Sequence, residues 1–150
     1  MPTYHLYIAN KNYSSWSFRP WLLMRQLGVP FVEHFHPLNG NSYRQPQWAA
    51  FSPTAHVPCL HALPDPNDNE EKQEEPIIVW ESLAIAEFLA DSHPSLSVWP
   101  SDPRARAWAR SACAEMATSF HAIRNQMGMN VGIRVRLDPS LFSVADGDGK

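Results

Sequence analysis

Residues 4–36 read YHLYIANKNYSSWSFRPWLLMRQLGVPFVEHFH, and this stretch decides the fold. Tyr4 to Ala9 is aromatic and β-branched, the profile of a first strand. Asn10 to Tyr13 is a polar turn. A helix is expected next, because Phe18, Trp21, Leu22, Met24 and Leu27 recur near helical spacing. Ser14 or Ser15 opens it, since serine is a preferred N-cap. Pro20 is read within the first turns, where a missing N–H costs least. Gly28 is expected just past the helix end, and Pro30 blocks continuation. Phe31 to His36 then reads as a second strand. The unit is β-α-β, which usually forms a parallel crossover.

Beyond it, Leu38 to Ala55 is broken by Gly40, Pro46 and Pro53, and only a short irregular helix is expected around Gln47 to Phe51. Pro58 to Leu63 reads as a third strand and Ile77 to Trp80 as a fourth. Between them Pro64 to Pro76 is acidic and turn-rich, an exposed loop. Glu81 and Ser82 lead into a helix from Leu83 to Asp91, so this second part is β-β-α. His93 to Pro103 carries three prolines and reads as a connector. Asp102 and Pro103 suit the N-cap and first position of a long helix reaching Met127, with Gly128 ending it. Its inner face would be Ala105, Trp108, Ala112, Met116, Phe120, Ile123 and Met127. The expected division is an α/β domain over 1–92, a linker over 93–102, and a partial all-helical domain over 103–150.

Composition narrows the function. The chain has 150 residues, 44% of them hydrophobic, so a packed core is expected. A formal charge of -3 offers no basic field for nucleic acid. Arg104, Arg106 and Arg110 fit a solvated helix face. Cys59 and Cys113 belong to no metal or disulfide spacing, and a reducing, intracellular compartment fits best. No apolar run approaches the roughly 20 residues of a membrane span. His34 and His36 share a strand face, as do Cys59 and His61, but no third ligand accompanies either pair, so no metal is expected.

Two helix N-termini offer anion sites, at Ser14-Ser15 and at Glu81-Ser82, because free N–H groups and the helix dipole converge there. Together they could hold two anionic groups of one ligand. The plainer alternative is that Ser15 and Ser82 only cap their helices. Val57-Pro58 can start a strand, and base rates favour a trans bond there.

SSWSFRPW, FSPTAHVPCL, WESLAIAEFLAD and WPSDPRARAWAR occur in that order. With this order and spacing the chain resembles the cytosolic glutathione transferases. It looks closest to the serine-type bacterial and fungal branch that includes the zeta class, whose members include maleylacetoacetate isomerases. The likeness spans Tyr4 to Val131 and implies a thioredoxin-like N-terminal domain followed by the first helix of an all-helical one. It implies that glutathione is the cosubstrate and a small electrophile the partner. Ser14 would donate a hydrogen bond to the glutathione thiolate and Ser15 would add a backbone N–H, or the two would exchange roles. Val57 would pair its backbone with the cysteinyl part, and Pro58 would be the family's cis-proline. Glu81 and Ser82 would hold the γ-glutamyl end, and His56 would sit where relatives carry a polar contact. A free thiol titrates near roughly 8.5, and such a site would lower it by about one to two units.

Three departures qualify the likeness. Trp16 replaces the cysteine of the zeta-type motif. The Pro64 to Pro76 segment lengthens a turn that is usually short. The helical domain is shorter than the family's, so a truncated form is expected. The resemblance implies a cytoplasmic detoxification enzyme, homodimeric where the whole fold is present, with no nucleic-acid or membrane partner. A non-catalytic interaction domain, or an inactive truncated form, is the alternative.

Overall fold

Alternation in the first strand separates the two faces of the sheet. β1 (Thr3–Ile8) buries Tyr4, Leu6 and Ile8 on one side and leaves His5 and Tyr7 half-buried on the other. A computed structural model describes residues 3–39, 44–64, 75–134 and 136. The other strands are β2 (Phe31–Phe35), β3 (Cys59–Leu63) and β4 (Ile77–Trp80). They form one four-stranded sheet in the order β2-β1-β3-β4. β1 runs parallel to β2 and antiparallel to β3, and β4 runs antiparallel to β3. The predicted β-α-β and β-β-α units are therefore both present, as an α/β thioredoxin-like fold. The Pro64 to Pro76 loop lies largely outside the described residues.

α1 (Ser15–Leu27) and α2 (Ser82–Ser92) cover the face that buries Leu6. Met24 from α1 and Ile85 and Leu89 from α2 meet Tyr4, Leu6, Ile8, Leu60 and Ala62 in one core. Gly28 closes α1 in the left-handed region at φ 68, where its N–H bonds the carbonyl of Arg25. A 3-10 turn (Pro46–Ala50) occupies the expected irregular segment, and Trp48 within it is buried against Ala9 and Ala55.

Pro20 lies within the first turns of α1 as expected, but its missing N–H leaves a helical carbonyl to be served from elsewhere. It lies in the second turn of α1, where its missing N–H would have bonded the carbonyl of Trp16. The Ser82 hydroxyl donates to that carbonyl at 2.8 Å instead. The vacancy left by a proline in one helix is thus filled from the first residue of another.

The long helix is broken in the structure. α3 (Pro103–Thr118) begins as expected, with the Asp102 side chain accepting from Ala105 N–H at 2.8 Å. It ends at Ser119, which is extended, and Phe120 takes a left-handed φ of 61 before α4 (His121–Gln126). The Arg124 guanidinium donates to the carbonyl of Met116 at 2.6 Å, so the turn satisfies part of the α3 C-terminus. The predicted inner face is largely exposed on both sides of the break. No residue of α3 is buried, and Trp108 is 75% exposed. Arg110 pairs with Glu87 of α2 at 2.7 Å, while Cys113, Met116 and Ala117 border a cavity of about 270 Å³ between α1, α2 and α3. Of the predicted inner face, Met116 lines that cavity.

Candidate functional site

Strand register gathers the sequence-predicted residues at one end of the sheet. Ser14 and Ser15 follow the C-terminal end of β1, and Glu81 and Ser82 follow the C-terminal end of β4. Tyr7 pairs with Cys59 and Cys59 pairs with Trp80, so Val57 and Pro58 lie at the same end, just before β3. Val57 packs beside Ala9, Trp48 and Ala55. The Ser82–Trp16 hydrogen bond holds the two helix N-termini together.

Ser14, not Ser15, is the N-cap of α1. Its Oγ accepts from Ser17 N–H at 3.4 Å, and the residue is 9% exposed. Ser15 is the first helical residue and is half-buried. The cap reading also fails for Ser82. Glu81 occupies the N-cap position of α2 without a side-chain cap bond, and the Ser82 hydroxyl serves Trp16. Glu81 is held at φ 71, where a non-glycine residue costs about 1–3 kcal/mol. Such strain collects at ligand sites. The Val57-Pro58 bond is cis, against the expectation from base rates and in line with that from the resemblance. His56 is exposed, with Nδ1 2.7 Å from the carbonyl of Thr54.

Two features were not read from the sequence. Ser17 is fully buried and accepts from Ala9 N–H at 3.0 Å and from the Ser14 hydroxyl at 3.0 Å. Its signal was a serine three residues past the cap, on the inward face of α1. Trp16 is flanked by two guanidiniums, Arg19 at 4.2 Å and Arg124 at 5.4 Å from its ring centre. Burial, and then Arg124, pull the Arg19 pKa down.

The opposite face of the sheet carries a stack of rings. Tyr7 lies 4.5 Å from His34, 4.5 Å from Phe51 and 4.6 Å from His61, centre to centre. His34 Nε2 is 3.0 Å from His5 Nδ1, so one ring donates and the other accepts. Burial, and then the charges of His5, His36 and His61, lower the His34 pKa, and burial lowers that of His36. Among the described residues, no group of three or more metal-ligating side chains is arranged to hold a metal. Cys59 is fully buried, and burial pushes its thiol up to about 11, so it acts as packing.

These histidines set a pH dependence. A histidine with a lowered pKa in the fold takes up protons more readily when unfolded. Stability is thus present above the unperturbed value near roughly 6.5 and is lost as pH falls through it. Glu33 acts in a lower window. Its burial pushes the pKa up, but hydrogen bonds from Lys11 and Trp21 and the charges of Lys11 and Arg25 outweigh this and hold it low. Urea midpoints measured at several pH values should fall between about pH 7 and pH 5. The fall should be shallower in His34→Phe, which keeps the stack without the titration. Equal slopes in the two proteins would contradict this origin.

Comparison with known proteins adds a family. Residues 13–92 match the sequence model described as Glutathione S-transferase, N-terminal domain. A maleylacetoacetate isomerase of Pseudomonas aeruginosa is 26% identical over 126 residues, 84% of this chain and 54% of that protein. This chain therefore spans about half the length of that relative. The crystal structure of glutathione transferase Omega 2S from Trametes versicolor shares the fold, with a TM-score of 0.63, 24% identity, and coverage of 83% of this chain and 51% of that one. A glutathione transferase homologue from Sulfitobacter, solved with bound glutathione, gives a TM-score of 0.60 at 23% identity, covering 95% of this chain and 61% of that one. Sequence match, sheet order and helix placement agree, and the chain belongs to the glutathione S-transferase N-terminal domain family.

Proposed function

We propose that this chain binds glutathione across the end of the sheet that carries Ser14, Val57-Pro58 and Glu81-Ser82, and that Ser14 hydrogen-bonds the thiolate. The observation that carries the reading is the Ser82–Trp16 hydrogen bond, which sets two helix N-termini side by side. The ligand has a thiolate and a carboxylate to place, and each N-terminus favours one anion. Val57 would offer its backbone as an added strand does. Ser15 would contribute its N–H, and His56 a contact at the rim. A hydroxyl donor and a helix N-terminus both favour the thiolate, which then attacks an electrophilic carbon.

The Pseudomonas aeruginosa relative supports isomerisation as a subtype, in which the thiolate adds to a conjugated double bond, permits rotation and leaves. The same reading takes residues 1–92 as the glutathione-binding domain, 93–102 as a linker and 103–150 as part of a helical domain. It takes the protein as a cytoplasmic detoxification enzyme, homodimeric in full-length form. The native chain, Ser14→Ala and Ser15→Ala should be assayed with an aryl halide and with a conjugated cis-diacid. Ser14→Ala is expected to lose about tenfold or more of the rate below the pKa of the free thiol, the equivalent of one unit of thiol pKa. Full activity in both variants would overturn the serine–thiolate reading.

A second reading is a non-catalytic interaction domain. It rests on the apolar surface of the C-terminal part, where Trp108 is 75% and Ile123 51% exposed. Glutathione binding without turnover of either electrophile would favour it.

A further inference from the structure

Ser17 holds an unusual position between the sheet and the candidate thiol site. It is 0% exposed, and both of its side-chain hydrogen bonds are accepted ones. Ala9 N–H, at the end of β1, donates to its Oγ at 3.0 Å, and the Ser14 hydroxyl donates at 3.0 Å. In this arrangement neither of the two bonds uses the proton of Ser17 itself. A buried donor left unused is unfavourable, and folded proteins seldom retain one. Among the described residues, Ser14 Oγ accepts from Ser17 N–H alone, at a long 3.4 Å, which leaves a lone pair for a further donor.

We propose that Ser17 is a positioning residue for Ser14, which turns the Ser14 proton outward when a thiolate arrives. The Ser14 hydroxyl rotates from Ser17 to the sulfur. The Ser17 hydroxyl rotates in its place and donates to Ser14 Oγ across the same 3.0 Å gap. No covalent bond forms or breaks, and each proton stays on its own oxygen. One hydrogen bond is exchanged and one is gained, because the idle Ser17 proton finds an acceptor. Receiving that bond also polarises the Ser14 hydroxyl, which strengthens what it gives to sulfur. Ala9 N–H keeps Ser17 Oγ in place throughout, so the sheet fixes the geometry of the thiol donor.

This inference rests on the proposed thiolate contact of Ser14, and the experiment separates the two. Glutathione bound to the full chain is titrated by the ultraviolet absorbance of its thiolate, for the native protein, Ser14→Ala, Ser17→Ala, Ser17→Thr and Ser17→Cys. The native site should lower the thiol pKa below that of free glutathione, and Ser14→Ala should remove the effect. If Ser14→Ala titrates as the native protein does, the thiolate contact fails and the role of Ser17 falls with it. Ser17→Ala should raise the bound pKa by about half to one unit, a roughly three- to tenfold loss of thiolate below the pKa. Ser17→Thr, which retains the hydroxyl, should restore the native value. A native pKa in Ser17→Ala, or the same shift in Ser17→Ala and Ser17→Thr, would overturn the proposal while leaving Ser14 intact. Should Ser17→Ala not fold, the comparison is between Ser17→Cys and Ser17→Thr. A shift confined to the thiol variant supports the mechanism, and equal values overturn it.

Discussion

Replacing Leu6 by alanine is expected to lower the unfolding free energy by about 2–5 kcal/mol. Leu6 is 0% exposed and sits on an inner strand, paired with Glu33 on one side and Leu60 on the other. Its side chain belongs to the core shared with Met24, Ile85 and Leu89, which comes from both helices. Neighbouring strands fix the backbone on either side, so the site cannot collapse far, and much of the removed volume remains as cavity. A single-domain protein has roughly 5–15 kcal/mol in total, so the variant should populate the unfolded state measurably at 37 °C. Chemical denaturation reads the change as a lower midpoint at an unchanged slope. A loss below about 0.5 kcal/mol, the scale of a surface substitution, would show that this core is not packed as described.

Ser82→Ala is expected to cost about 1–3 kcal/mol, although it removes a single oxygen. The Trp16 carbonyl has no helical donor because Pro20 stands four residues on, and Ser82 supplies its hydrogen bond at 2.8 Å. Without the hydroxyl the carbonyl is left without its partner beneath a residue that is itself 7% exposed. The two helix N-termini also lose their link, so on the proposed reading glutathione affinity should fall together with stability. Thermal melts with and without glutathione separate the effects. A ligand that binds only the folded state raises the melting temperature, and that increment should shrink in the variant. An unchanged increment would mean that the helix ends hold their spacing without Ser82.

What the sequence revealed divides by the range of the interaction. Gly28, the Asp102 cap and the Ile77 to Trp80 strand were readable because each depends on a few neighbouring residues. The register that brings Val57 beside Ala9 was not, since strand order is a property of the whole sheet. The α3 break has no local signal for a different reason. Ser119 and Phe120 carry no glycine or proline signal, and the apolar spacing continues through them. Across the break the Arg124 side chain bonds back to the Met116 carbonyl, a partner that apolar spacing does not announce. Among the site residues, the positions of Ser14, Ser15, Glu81 and Ser82 at helix starts followed from local pattern. The partners of Ser14 and Ser82 did not, because a hydroxyl can serve a cap, a neighbouring hydroxyl or a distant carbonyl with equal chemical ease.

The bond between Ser82 and Trp16 joins positions whose sequence separation is 66, and it exists because Pro20 does. Restoring an ordinary residue at Pro20 supplies α1 with its own donor, and the Ser82 hydroxyl becomes redundant for structure. The two positions are therefore epistatic: either change alone alters the junction, and the second matters less once the first has occurred. Along a lineage, proline at one site and a hydroxyl at the other should be gained and lost together. The covariation of Pro20 with Ser82 would then mark the seam between α1 and α2 in sequence data alone.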